Sequence, residues 1–203
     1  MIKSGSSSSQ EVVETTDIQK TAFPILFAIA FAHLLNDLIQ AVIPAVYPIL
    51  KENLNLSFTQ IGLITLSYQL AASILQPLIG LYTDKHPKPF SQIFGMFFSV
   101  AGIVTLSYAD SFQLILLAVV FVGIGSSIFH PESSRISFLA SGGKRGLAQS
   151  IFQLGGNAGT AIGPLLVALI VVPNSQRYIV WFVGAGIFAI AVLTKIAFWY
   201  TNH

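Results

Sequence analysis

The sequence predicts an all-α membrane protein with six transmembrane helices, and three observations carry that prediction. Of 203 residues, 54% are hydrophobic and 9% are charged, against roughly 25% charged in a soluble domain, so one water-facing core cannot accommodate the chain. From residue 22 onward, apolar stretches of about 20 residues or more, the length that crosses a bilayer, follow one another with only short polar breaks. The basic residues gather in alternate breaks, as they do when Lys and Arg collect on the cytoplasmic side.

Residues 1–20 are polar, with a serine tract at 4–9 broken only by Gly5, and with Glu11, Glu14 and Asp17. They read as a disordered cytoplasmic tail. A secretory signal needs a basic start followed at once by a short apolar run, which is not the pattern here. The first span is expected at 22–50, stopped by Lys51-Glu52-Asn53, and the second at 58–82, stopped by Asp84-Lys85-His86-Pro87-Lys88-Pro89. The third, 90–109, and the fourth, 112–132, are separated only by Asp110-Ser111 and so form an antiparallel hairpin. A polar stretch at 132–145 precedes the fifth span, 146–172, and Pro173-Asn174-Ser175-Gln176-Arg177 separates it from the sixth, 178–199. With both termini cytoplasmic, Lys3, Lys20, Lys85, Lys88, Arg135, Lys144, Arg145 and Lys195 lie inside, and only Lys51 and Arg177 lie outside.

Composition also excludes several functions. There is no cysteine, hence no disulfide framework, thiolate metal site or cysteine nucleophile. The basic residues are scattered singly, which argues against a nucleic-acid partner. No phosphate-cradling glycine loop, dinucleotide fingerprint or metal-ligand spacing is present, so neither a cofactor nor a metal is expected.

Polar residues inside the spans carry the functional signal, because an ionisable group at bilayer depth costs several kcal/mol or so and by default faces a bundle interior or a wet cavity. In the first span His33, Asn36, Asp37 and Gln40 fall at i, i+3, i+4 and i+7, one stripe of a helix. His33 lies about 16 Å along the axis from the start of the span, near mid-depth. Imidazole and carboxylate each accept a proton, and the pair suits a proton relay; a helix-internal contact between them is the bland alternative. The fifth span has two faces: Gln149, Gln153 and Asn157 on one, Gly155, Gly159 and Gly163 on the other, followed by Pro164. The glycine face is a small-residue seam at which membrane helices approach at backbone distance. Gln69, Ser73, Gln76 and Gly80 align on the second span, and Gly123, Ser126, Ser127 and His130 on the fourth, which ends in Pro131-Glu132. Spans one, two, four and five are therefore expected to surround a polar space, and three and six to face lipid.

Several strings resemble a known family. Gly80-Leu81-Tyr82-Thr83-Asp84-Lys85-His86-Pro87-Lys88 resembles the motif A loop of the major facilitator superfamily, with Pro87 at the usual glycine. Gly159-Thr160-Ala161-Ile162-Gly163-Pro164 is similar to the core of its motif C, while Val119 stands where motif B places an arginine. His33-Leu34-Leu35-Asn36-Asp37, Gly123 to Glu132 and Ser150 to Asn157 resemble the fosmidomycin resistance family over about residues 22–200. The resemblance implies the N-terminal six-helix half of such a transporter, a 3+3 repeat in the bacterial inner membrane. It further implies export of small amphipathic or anionic drugs in exchange for protons. His33, Asp37, His130 and Glu132 are then the candidates for proton coupling, and Asn36, Gln40, Gln69, Gln153 and Asn157 for the substrate cavity. Gly80, Asp84, Lys85 and Lys88 are expected to form the conformational loop, its cations pairing with Glu132. Because transporters of this kind have two halves with the site between them, a second six-helix half or a second copy is expected as partner, the alternative being a truncated remnant that does not transport.

A remote reading starts from Gly123-Ile124-Gly125-Ser126, which is similar to the serine motif of rhomboid-type intramembrane proteases. Those need a histidine base on the sixth span. None is present there, and His130 is expected to lack an orienting carboxylate.

Overall fold

The computed structural model describes residues 20–202; the tail expected at 1–20 lies outside the described residues except for Lys20. Among those residues the regular structure is helical throughout, and six helices are long and apolar enough to cross a membrane. They are α1 (Phe23–Ala45), α3 (Phe58–Lys85), α4 (Ser91–Tyr108), α5 (Phe112–Leu139), α6 (Arg145–Leu166) and α7 (Val183–Thr201), with a short α2 (Tyr47–Leu54) after α1.

Local sequence explains where these helices start and stop, and why some bounds differ from expectation. The first span does not run unbroken to residue 50. Pro48 has no N–H to offer the carbonyl of Pro44, so the ladder breaks at Val46 and α2 begins anew. Asn55 ends α2 in the left-handed conformation, φ 50°. A capping box opens α3: Ser57 Oγ accepts from Gln60 N at 3.2 Å, and Gln60 Oε1 accepts from Ser57 N at 2.8 Å. The fourth span extends past Pro131 to Leu139. Its added turns bury Glu132, Ser133, Ile136 and Ser137 while Phe138 and Leu139 stay exposed, and Gln92 of α4 donates to Ser133 Oγ at 3.0 Å. Gly142 and Gly143, at φ 55° and 85°, turn the chain into α6. Past Pro164 the helix widens into a π-helical stretch, Val167–Val171, and a 3-10 stretch, Gln176–Phe182, leads into α7.

α1 stands in the middle, packed on α6, α7 and α5; α5 packs on α4 and α3; α4 and α7 close the remaining side. Exchange the first and fourth spans, the second and fifth, and the third and sixth, and this set of neighbours maps onto itself. The α1–α6 contact becomes α5–α3, and α1–α7 becomes α5–α4. That is the 3+3 repeat, seen as packing. Small residues make both central contacts possible. On α6, a methyl group at Gly159 would sit 2.9 Å from Leu38 N, and one at Gly163 would sit 2.9 Å from the Leu38 carbonyl oxygen. On α5, one at Gly123 would sit 2.8 Å from the Tyr68 carbonyl oxygen of α3.

Cover is uneven. In α1 61% of the span's apolar window is buried, against 28% in α6 and 11% in α3. α4 and α7 expose Phe94, Phe97, Ile187, Phe188 and Phe198, as lipid-facing helices do, whereas the bare face of α3 mixes Leu63, Leu66, Leu70 and Ile74 with Gln69, Ser73 and Gln76.

Candidate functional site

The polar stripe of α1 meets α5 and α6 in one cluster. Asp37 lies at its centre: Oδ2 is 3.3 Å from His33 Nε2, and Oδ1 is 3.4 Å from His130 Nε2 of α5. Oδ1 also accepts from Asn36 Nδ2 at 3.1 Å and from Gln40 Nε2 at 3.3 Å. On its far side Gln40 Oε1 accepts from Ser126 Oγ at 3.1 Å and from the Tyr68 hydroxyl of α3. Four helices therefore contribute to one hydrogen-bonded network, as a buried polar group requires.

The outer nitrogens of the two histidines are fixed by main chain. His33 Nδ1 lies 2.8 Å from the carbonyl oxygen of Phe152 on α6, and His130 Nδ1 lies 2.9 Å from that of Ser126. A carbonyl accepts only, so each Nδ1 carries hydrogen. The Phe152 ring stacks on His33 with centroids 4.0 Å apart. Gly156 makes the room: a methyl there would sit 2.6 Å from His33 Nε2 and 2.8 Å from Asp37 Oδ2. The glycine seam that brings α6 to backbone distance thus also delivers Phe152 and Gly156 to the cluster.

From Asp37 a cleft of about 260 Å³ opens between α1, α3 and α6, lined by Gln40, Tyr47, Thr65, Tyr68, Gln69 and Thr160 among others. Tyr47 lies within hydrogen-bond distance of Thr65 at 2.8 Å. Of the residues expected to line a substrate cavity, Gln40 and Gln69 do line this cleft. Asn36 is fully buried and serves Asp37 instead, with its own Oδ1 unpartnered. Gln153 and Asn157 are exposed on α6, outside the cleft lining, where Thr160 takes their place.

The loop after α3 differs from expectation in its pairing. Arg135 of α5, not Lys85 or Lys88, forms the ion pair: Nη1 lies 3.8 Å from Asp84 Oδ1 and also donates to the carbonyl of Thr83. Lys85 and Lys88 are exposed, and Glu132 is 1% exposed with neither carboxylate oxygen hydrogen-bonded. Arg135 outcompetes the loop lysines because it reaches Asp84 across the α3–α5 contact. Gly80 packs near Pro131, the added methyl lying 3.5 Å from its Cβ.

His130 does have a carboxylate, contrary to the sequence reading, and Ser126 Oγ, His130 and Asp37 stand in series, with Oγ 3.2 Å from His130 Nδ1. The series is not a nucleophile and base. His130 Nδ1 is engaged by the closer Ser126 carbonyl and is a donor there, so it has no lone pair for the serine proton, which goes to Gln40. The His33, Asp37 and His130 donor atoms lie within 4.8 Å of one another, a spacing metal sites share. Asp37 Oδ1 is already turned to two amide hydrogens, which suits hydrogen-bond chemistry. Tyr68, Gly156 and Phe152 were missed by the sequence reading; none is ionisable near neutral pH, and only the packing of α3 and α6 on α1 brings them in.

The family model described as Major Facilitator Superfamily matches residues 29–203. The chain is 53% identical over 187 residues to the fosmidomycin resistance protein of Escherichia coli (strain K12), covering 92% of this chain and 46% of that protein. It is 49% identical over 183 residues to the uncharacterized MFS-type transporter YfnC of Bacillus subtilis (strain 168), covering 90% of this chain and 45% of that protein. It is 24% identical over 195 residues to the lincomycin resistance protein LmrB of the same bacterium, covering 92% and 41%. The chain thus spans about half the length of the curated relatives it matches.

Proposed function

Because the chain belongs to the Major Facilitator Superfamily, a family of transporters and not enzymes, we propose that it is one six-helix half of a drug exporter that exchanges its substrate for protons. The protein is multi-pass, and we place it in the plasma membrane with both ends of the chain cytoplasmic, as the basic residues favour. The observation that carries the reading is Asp37 held between His33 and His130 at the head of a cleft. A carboxylate between two imidazoles exchanges protons within the membrane, and Gln40, Tyr68 and Gln69 offer donors and acceptors to a small polar drug beside it. The name of the Escherichia coli relative supports a drug of the fosmidomycin kind.

The sparse cover of α3 and α6, with Gln69, Gln153 and Asn157 on bare faces, supports a cavity whose opposite wall is a second six-helix half or a second copy, since polar surface is costly against lipid. Glu132, beyond His130 on α5, stands toward the inner end, and the Asp84–Arg135 pair ties α5 to the loop of Gly80, Lys85 and Lys88 that holds one state.

The test is transport by the chain expressed together with a second six-helix half. Drug accumulation in cells falls, drug addition to inverted vesicles collapses a pre-formed pH gradient, and Asp37→Asn abolishes both effects. Unchanged accumulation contradicts export. Export that survives Asp37→Asn contradicts the proton assignment.

A further inference from the structure

We propose that His33, Asp37 and His130 form a binding site for a divalent transition-metal ion of zinc's chemistry, with one coordination position open to the cleft. The surroundings of the three donors, more than their spacing, carry the assignment. Each imidazole gives its Nδ1 hydrogen to a main-chain carbonyl, His33 to Phe152 at 2.8 Å and His130 to Ser126 at 2.9 Å. That outer bond is the one a metal-ligating histidine makes, because it fixes the tautomer and aims the Nε2 lone pair at the ion. Both Nε2 atoms are aimed at one carboxylate, at 3.3 and 3.4 Å. Lone pairs from three residues thus converge, and a cation among them turns mutual repulsion into bonding. Asp37 is braced in the same way: Oδ1 accepts from Asn36 and Gln40, as a ligating carboxylate does. The Phe152 ring, stacked at 4.0 Å, holds the His33 ring in its orientation.

Zinc holds imidazole nitrogen and carboxylate oxygen at about 2.0–2.2 Å in a tetrahedral array, which puts neighbouring ligands about 3.3–3.5 Å apart. The two histidine contacts to Asp37 already stand at that separation. All three donor atoms lie within 4.8 Å of one another, so the widest pair closes by no more than about 0.6 Å to share one ion with bonds of about 2.1 Å. Room is provided by Gly156: a methyl there would lie 2.6 Å from His33 Nε2 and 2.8 Å from Asp37 Oδ2, so its absence leaves space directly beside two of the donors. The cleft of about 260 Å³ begins at Asp37 and supplies the entry path and the water for the fourth position. Two imidazoles with one carboxylate select zinc and its first-row neighbours over magnesium and calcium, which take oxygen ligands. The ligands come from α1 and α5, so no spacing along the sequence announces the site.

The experiment is zinc titration and zinc X-ray absorption on the full chain in lipid nanodiscs, purified without a polyhistidine tag. Measurements are made in the His86→Gln/His203→Gln background, where His33 and His130 are the remaining histidines. One zinc ion per chain is expected to bind at micromolar zinc and to resist millimolar magnesium, with two imidazole nitrogens at about 2.0–2.1 Å. His130→Gln is expected to weaken binding by about 100-fold or more. No binding at millimolar zinc, coordination by oxygen alone, or an unchanged affinity in His130→Gln overturns the site. The spectrum reads the ligands with both histidines in place, so it decides the matter even where His130→Gln does not fold. A consequence for transport rests on the proton-coupled reading: ion and exchangeable proton take the same lone pairs, so zinc stops drug-driven proton movement. Zinc bound by the two imidazoles while that movement continues unchanged would contradict the proton reading and leave the metal site standing.

Discussion

Replacing Gly159 by alanine probes the seam and the cluster at once. The added methyl would lie 2.9 Å from both the Leu34 carbonyl carbon and Leu38 N, where ordinary contact begins at 3.4 Å. These neighbours are main chain and cannot swing aside, so α6 must retreat from α1 by at least about 0.5 Å, and overpacking of this kind costs about 1–3 kcal/mol. Alanine's better helix propensity returns roughly 0.5–1 kcal/mol, leaving a net loss of up to about 2.5 kcal/mol. At roughly 2–4 °C per kcal/mol for a chain of this size, the midpoint of thermal unfolding of the purified protein falls by up to about 10 °C. Gly62→Ala is the control, because a methyl there meets nothing within 4 Å, and its midpoint holds or rises by about 1–4 °C. The retreat has a second consequence. It stretches the 2.8 Å contact from His33 Nδ1 to Phe152 toward about 3.3 Å, past the usual N–H···O range, so His33 loses the main-chain acceptor that fixes its ring. Equal and small shifts for Gly159→Ala and Gly62→Ala would refute the backbone-contact argument.

Asp37→Asn keeps the shape of the cluster: the new amide donates to His33 Nε2 while its oxygen still accepts from Asn36 and Gln40. Its unfolding midpoint is expected within about 4 °C of the parent, roughly 1 kcal/mol, while proton-linked transport disappears; a collapsed fold would show that Asp37 is chiefly structural. Gly156→Ala puts a methyl 2.6 Å from His33 Nε2, but the clash is with side-chain ends that can shift, so the fold is expected to survive and proton coupling to weaken. Full coupling in that variant would contradict the placement of α6 against the pair. Gln176→Ala strips the Leu106 and Ala109 carbonyls of donors at 3.0 and 2.8 Å and Asn53 of its acceptor. Leaving such buried groups unsatisfied costs about 1–3 kcal/mol, and chemical unfolding showing less than about 0.5 kcal/mol would remove Gln176 from the set of structural clamps.

Much of this arrangement was legible in the sequence because it follows from period and composition. The apolar stretches gave the six spans, and the i, i+3, i+4, i+7 stripe from His33 to Gln40 gave the face of α1 on which the cluster is built. The glycines of α6 gave the close contact. What the sequence left open depended on partners brought from elsewhere in the chain. His130 lies 3.4 Å from Asp37 only because α5 packs on α1, and no spacing along one helix announces that. Arg135 paired with Asp84 for the same reason, since the loop lysines were nearer in sequence but not across the α3–α5 contact. The break at Val46 was readable from Pro44 and Pro48, yet apolar periodicity alone ran through it. Gln153 and Asn157 show the converse limit. Their face was legible, but among the described residues nothing covers it.

The central claim is that the bare polar faces of α3 and α6 border a shared aqueous cavity headed by Asp37. The chain has no cysteine, so single cysteines at Gln69, Gln153 and Asn157, with Phe97 and Ile187 as lipid-facing references, can be challenged in membranes with a small hydrophilic thiol reagent. Thiols react as thiolates, which form readily only where water reaches them. Rapid labelling of Gln69→Cys, Gln153→Cys and Asn157→Cys, with Phe97→Cys and Ile187→Cys inert, is the predicted result; Gln69→Cys as unreactive as Phe97→Cys would contradict the account.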